Sequence, residues 1–84
     1  MLLLRFEKIA WKQLDYVPPP DRKRIRARID AYRSDPAGLG HDVAPLIGES
    51  GMRRLRVGVW RIIFSVHGDT MKVHRVAHRR EAYR

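Results

Sequence analysis

The spacing of hydrophobic positions changes along the chain, and the changes mark its elements. Near the start, "LLLRFE" is a short apolar run that predicts a strand. From Lys8 to Tyr16 the spacing becomes helical: Ala10, Leu14 and Val17 recur at i, i+4 and i+7, with Trp11 beside them. Pro18, Pro19 and Pro20 end that helix, because proline lacks a backbone donor and clashes with the preceding turn. Pro20 is also suited to open the next helix, where the missing donor costs nothing. That helix, "DRKRIRARIDAYRS", has a narrow apolar stripe at Ile25, Ile29 and Tyr32 and is stopped by Asp35-Pro36. Residues 36–51 hold four glycines and two prolines and predict a loop, with Leu46 and Ile47 tucked onto the core.

The period then becomes two. "MRRLRV" and "WRIIFSV" predict strands joined at Gly58-Val59, a two-residue loop whose leading glycine suits a type II′ hairpin. "GDT" at residues 68–70 predicts a second tight turn, and "MKVHRVA" a last strand. In that strand Val76 is out of phase with Met71 and Val73, which either a bulge or cover on both faces would explain. The expected fold is one α+β domain spanning residues 1–84. It has a small antiparallel β-sheet with two N-terminal helices packed on one face, in the order strand-helix-helix-strand-strand-strand.

Charge sharpens this picture. Eighteen Lys and Arg against nine Asp and Glu give 84 residues a formal charge of +9. So basic a balance fits an anionic partner such as nucleic acid. There are no cysteines, so disulfides and thiolate metal sites are excluded and a reducing compartment is expected. The opening apolar run is too short for a signal peptide and no stretch reaches membrane-spanning length, so a cytoplasmic protein without a membrane partner is expected. The second predicted helix carries Arg22, Lys23, Arg24, Arg26, Arg28 and Arg33 against Asp21 and Asp30. Such a face is either simply solvated or turned toward a polyanion; Arg22, Lys23, Arg26 and Arg33 are the candidates for the second role.

The hairpin has two different faces. Leu55, Val57, Trp60, Ile62, Phe64 and Val66 share the side that meets the helices, while Arg54, Arg56 and Arg61 share the other. A loop at Gly58-Val59 puts Arg56 directly opposite Arg61, and like charges so placed are destabilising. A phosphate site would account for that cost, since guanidinium groups grip phosphate through a rigid fork of donors. The last strand pairs with the hairpin, so the ending can run past the same arginines. His78, Arg79, Arg80 and Tyr83 would then close a cleft suited to phosphodiester cleavage. Tyr83 or His78 would move a proton or stack on a base.

"RRLRVGVWRIIFSV" followed by "VHRVAHRREAYR" resembles the RelE branch of the RelE/ParE toxin superfamily. The front half fits as well, so the resemblance covers essentially the whole chain. It implies a toxin of a type II toxin–antitoxin system, an mRNA interferase that enters the ribosomal A site. The cut would use the RNA 2′-hydroxyl as nucleophile, with no metal and no cofactor. The family's basic active-site residues match Arg54, Arg61 and Arg79, and its C-terminal tyrosine matches Tyr83; Arg56 and Arg80 would be supporting phosphate contacts. His78 matches a position that varies between histidine and lysine, and both a general-acid role and a phosphate contact are open to it. Met52 stands where some members carry a lysine. Besides ribosome and mRNA, the implied partner is a cognate antitoxin, which the +9 charge suggests is acidic and which would fold on binding. The alternatives are a ParE-like toxin that poisons DNA gyrase without RNase activity, and a bare nucleic-acid-binding module. No HExxH motif is present, and His74 and His78, four apart in a strand-like segment, do not converge on a metal.

Overall fold

The computed structural model describes residues 1–82. Its elements are β1 (Leu3–Phe6), α1 (Lys8–Tyr16), α2 (Pro19–Ser34), β2 (Val43–Pro45), β3 (Arg53–Val57), β4 (Trp60–His67) and β5 (Thr70–His78), with a short 3-10 turn at Pro36–Leu39. Ala10, Leu14 and Val17 of the first helical stripe are buried, and so are Ile25, Ile29 and Tyr32 of the second. The break between the helices is where the prolines put it. The backbone N–H of Val17 donates to the carbonyl of Leu14, and Pro19 occupies the first position of α2, one residue before Pro20 and two before Asp21. Asp35 closes α2 by donating its N–H to the carbonyl of Ala31.

The sheet order is β1-β5-β4-β3-β2. The α+β fold is as expected, with two differences at the sheet edges. First, β2 lies inside the expected loop: Val43, Ala44 and Pro45 pair antiparallel with Leu55, Arg54 and Arg53. Three residues ending in a proline leave no periodic signal, yet their pairing covers β3. Second, β1 pairs with β5 in parallel, Leu3 with Thr70 through Phe6 with Val73. The β3–β4–β5 meander leaves the outer edge of β5 open, and β1 fills it before the chain turns into α1. Past the end of β1, Gln13 of α1 continues the cover by accepting the backbone N–H of Val76 at 2.8 Å. The loop after β2 buries Leu46, whereas Ile47 stands fully exposed, a correction to the expectation that both would pack inward.

The two hairpin turns follow their glycines. Gly58 and Gly68 have φ of 59° and 60°, and among the described residues no non-glycine residue has positive φ. Positive φ at the first loop position alone is the type II′ pattern. Val57 therefore pairs with Trp60, and Arg56 with Arg61. The phase slip in β5 is a bulge: Ile63 pairs with Arg75 but Phe64 with Val73, so His74 is the extra residue. The core lies between the helices and one sheet face, around Phe64, Ile62, Leu55, Met71 and Val73, with Tyr32 set edge-on to Phe64 at 4.9 Å.

Candidate active site

The sheet face away from the helices carries the arginines. Across it run two rows: Arg56, Arg61, Ala77, and Ala44, Arg54, Ile63, Arg75. Arg75 enters this face because the His74 bulge reverses the phase of β5; unbulged, it would join Met71 and Val73 on the helix side. Ile63 is wholly buried yet outside the helix-side core, so it forms an apolar floor between Arg54 and Arg75. Among the described residues, none of Arg54, Arg61 and Arg75 has a carboxylate partner.

The guanidinium of Arg61 curls toward the hairpin turn. Its Nη1 donates to the carbonyls of Gly58 at 2.8 Å and Trp60 at 2.9 Å, while its Nε is buried without a partner among the described residues. A buried N–H left unmatched in this way costs free energy that a bound acceptor would recover. Arg54 borders an open pocket of about 300 Å³ with Ala44, Pro45, Leu46 and Ile47. Arg56 is less free, since Nε and Nη2 both reach Asp42, which also pairs with Arg28 of α2.

The ending folds back toward this face. The backbone N–H of Arg79 donates to Val59 in the hairpin loop at 2.6 Å, and Glu81 and Ala82 donate to the carbonyl of His78. Ala82 is buried, and its carbonyl accepts from Arg75 Nη2 at 3.4 Å. The side chains of Arg79 and Arg80 are exposed. Tyr83 lies outside the described residues.

His78 stands apart from the arginines. It pairs with Trp60, which shares the helix-side face, and the two rings meet edge-on at 5.5 Å. Its Nδ1 accepts the backbone N–H of Arg80 at 3.2 Å, so the ring supports the turn that starts the ending. Trp60 is fixed from the other side, where its indole N–H donates to Asp21 at 3.0 Å. That bond, with the Arg24 ion pair, lowers the pKa of Asp21 below the ordinary aspartate range.

α2 packs on the opposite side of the sheet from the arginine face, and of its basic residues Arg28 is linked to that face through Asp42. Arg22 reaches the carbonyl of Asp15, Lys23 is exposed, and Arg26 lies over the ring of Trp11 at 5.7 Å. Arg33 is engaged within the fold: Nε donates to the carbonyl of Leu2 at 2.8 Å and Nη1 to Asp30 at 2.8 Å.

One cluster has no precursor in the sequence pattern. Ser65 Oγ lies 2.7 Å from His74 Nε2, and His74 Nδ1 lies 3.0 Å from Glu7 Oε1. A carboxylate only accepts, so Nδ1 carries a proton and a neutral ring accepts from the Ser65 hydroxyl through Nε2. The His74 bond is the main cause holding the Glu7 pKa below the ordinary glutamate range, with Lys72 adding to it and desolvation opposing. At 2% exposure, Ser65 offers no access to a substrate, so the serine–histidine–glutamate chain is a tie between β4, β5 and the start of α1.

Known proteins share this fold. A family model described as the ParE toxin of the type II toxin–antitoxin system, parDE, matches residues 4–83. Toxin RelE3 of Methanocaldococcus jannaschii is 36% identical over 80 residues, covering 93% of this chain and 91% of the relative. A chain of the RelB-RelE antitoxin–toxin complex from Methanococcus jannaschii superposes with a TM-score of 0.76 at 34% identity, covering 94% of each chain. A chain of the archaeal RelE-RelB complex from Pyrococcus horikoshii OT3 shares the fold, with a TM-score of 0.79 at 24% identity over 96% of this chain and 98% of that one. On the family-model match and the RelE3 identity, this chain belongs to the RelE/ParE superfamily of type II toxin–antitoxin toxins.

Proposed function

We propose that this RelE-type toxin is an endoribonuclease that cuts mRNA in the ribosomal A site. The observation that carries the reading is a single sheet face on which Arg54, Arg61 and Arg75 lie around a buried Ile63, none of the three having a carboxylate partner among the described residues. In the reaction, the RNA 2′-oxygen forms a bond to the neighbouring phosphorus and the bond to the 5′-oxygen breaks. The 2′-hydroxyl loses its proton and the leaving 5′-oxygen gains one. Arg54 and Arg61 stabilise the charge that builds on the non-bridging oxygens, worth most where water is excluded. Arg79 and Arg80 grip flanking phosphates, and Tyr83 orients or stacks on the substrate. The turn-holding position of His78 supports a role in fixing Arg79 and Arg80 rather than in contacting the cut phosphate.

The two solved relatives occur in complexes with RelB antitoxins, which supports a cognate antitoxin for this chain. With +9 on the toxin, an acidic partner would be steered to it.

The description of the matching family model names ParE and favours a second reading, poisoning of DNA gyrase. One paired experiment separates the two: primer extension on mRNA in a purified translation system, beside a gyrase cleavage assay. Message cuts with untouched gyrase support the RNase; gyrase-dependent DNA breaks with intact message support the alternative.

A further inference from the structure

The open face of the sheet does not end at the arginines. Ile63 pairs with Arg75, Ser65 with Lys72, and Lys72 with Arg5, so basic side chains continue across β5 to the edge strand β1. Arg5 and Lys72 are direct neighbours on these strands, and like charges so placed are unfavourable. At this edge an open groove of about 520 Å³ is lined by Arg5, Phe6, Glu7, Lys8, Ile9 and Lys72. A second, of about 340 Å³, shares Phe6 and Lys8 and reaches Trp11. Trp11 is 49% exposed, with its ring 4.7 Å from that of Phe6 and the Arg26 guanidinium over it. Glu7 is the one carboxylate lining the larger groove, and it is already bonded to His74 and Lys72. Three cations against one carboxylate leave that groove at +2.

We propose that the groove over β1 and α1 binds single-stranded RNA, receiving the message strand as it leaves the arginine face. Phosphates sit on Lys72, Arg5 and Lys8, and a base stacks on Trp11. The proposal rests on the RNA-cutting reading and extends that site to a flanking subsite. Cations and aromatics alternate here, which is how proteins hold a single strand without reading its sequence. An acidic amphipathic helix would need a continuous apolar stripe, whereas Phe6, Ile9 and Trp11 are separated by Lys8 and flanked by Arg5 and Lys12.

The test uses the full chain and 2′-O-methyl oligoribonucleotides, which resist cutting by 2′-hydroxyl attack. Binding is followed by tryptophan emission, with Trp11→Phe identifying the contribution of Trp11. A trinucleotide should leave the Trp11 signal unchanged, and a strand of about ten nucleotides, within the span of known single-strand sites, should quench it. For the longer strand, Arg5→Gln combined with Lys72→Gln should lower the slope of log affinity against log salt by about 1.4, two phosphate contacts at ~0.7 each. For the trinucleotide the slope should stay the same. An unchanged slope for the longer strand, with circular dichroism showing a folded variant, overturns the proposal. So does quenching of Trp11 by poly-glutamate as strong as by RNA, which would assign the groove to an acidic protein. Failure of the cutting site reads out separately: wild-type cleavage by Arg61→Ala overturns that site whatever Trp11 reports. Loss of cleavage in Arg61→Ala without a Trp11 signal in the wild type overturns the groove alone.

Discussion

Arg56 on β3 stands directly opposite Arg61 on β4, and among the described residues only Arg56 has a carboxylate, Asp42, to balance it. The arrangement is poor for stability and useful for holding a phosphate. Arg61→Met removes the like-charge opposition and the unmatched Nε, while giving up two bonds to turn carbonyls. These terms are each on the order of 1 kcal/mol and oppose one another. Urea unfolding of Arg61→Met should therefore stay within about 1 kcal/mol of wild type, as for a residue kept for chemistry. A loss beyond about 2 kcal/mol would make Arg61 a structural residue.

The bulge residue His74 should behave in the opposite way. His74→Ala leaves the buried Ser65 hydroxyl unmatched and frees Glu7, and should cost about 1–3 kcal/mol. Adding Ser65→Ala should return part of that loss. A double-mutant cycle with no coupling between the two positions would contradict the tie.

Glu7 and Asp21 both have lowered pKa values, from the bond to His74 and the bond to Trp60 respectively. A depressed carboxyl pKa contributes stability above the unfolded-state value and loses it as pH falls through the folded-state value. Glu7→Gln should thus be less stable than wild type at neutral pH, and the two unfolding curves should converge below the ordinary glutamate range. A gap that stays constant down to strong acid would show that the charge of Glu7 is not what stabilises.

The basic side chains of α2 separate into two groups. Reversing Arg22, Lys23 and Arg26 to Glu should weaken association with the ribosome and flatten its salt dependence, at little cost in stability. Arg33→Glu should instead lower the melting temperature, because Arg33 joins α2 to the carbonyl of Leu2. Equal salt slopes for the triple variant and wild type would mark that face as merely solvated.

Much of this was legible in the sequence because it is local. The helical stripes, the proline break and the glycine-led hairpin are set within a few residues, and the Arg56–Arg61 opposition follows from the turn alone. Three features were not legible because they depend on partners far along the chain. β2 is too short to show a period, and parallel pairing of β1 depends on which edge the meander leaves open. The Ser65–His74–Glu7 tie joins residues up to 67 positions apart. Arg75 left a trace, the out-of-phase Val76, but only the bulge shows that it turns Arg75 onto the arginine face. His78 was expected over the arginines because the ending continues the last strand, whereas its pairing with Trp60 sets its ring against that residue instead. Ile47 was expected inside from its hydropathy, and the turn after Leu46 carries it outward.

The most direct measurement is the single-turnover rate of mRNA cleavage on programmed ribosomes, read by primer extension, for wild type, Arg54→Ala and Arg61→Ala. Loss of one electrostatic stabiliser should slow the cut by on the order of 10²-fold or more for each, with fold and ribosome binding retained. Wild-type rates in both variants would contradict the assignment of the arginine face as the cutting site.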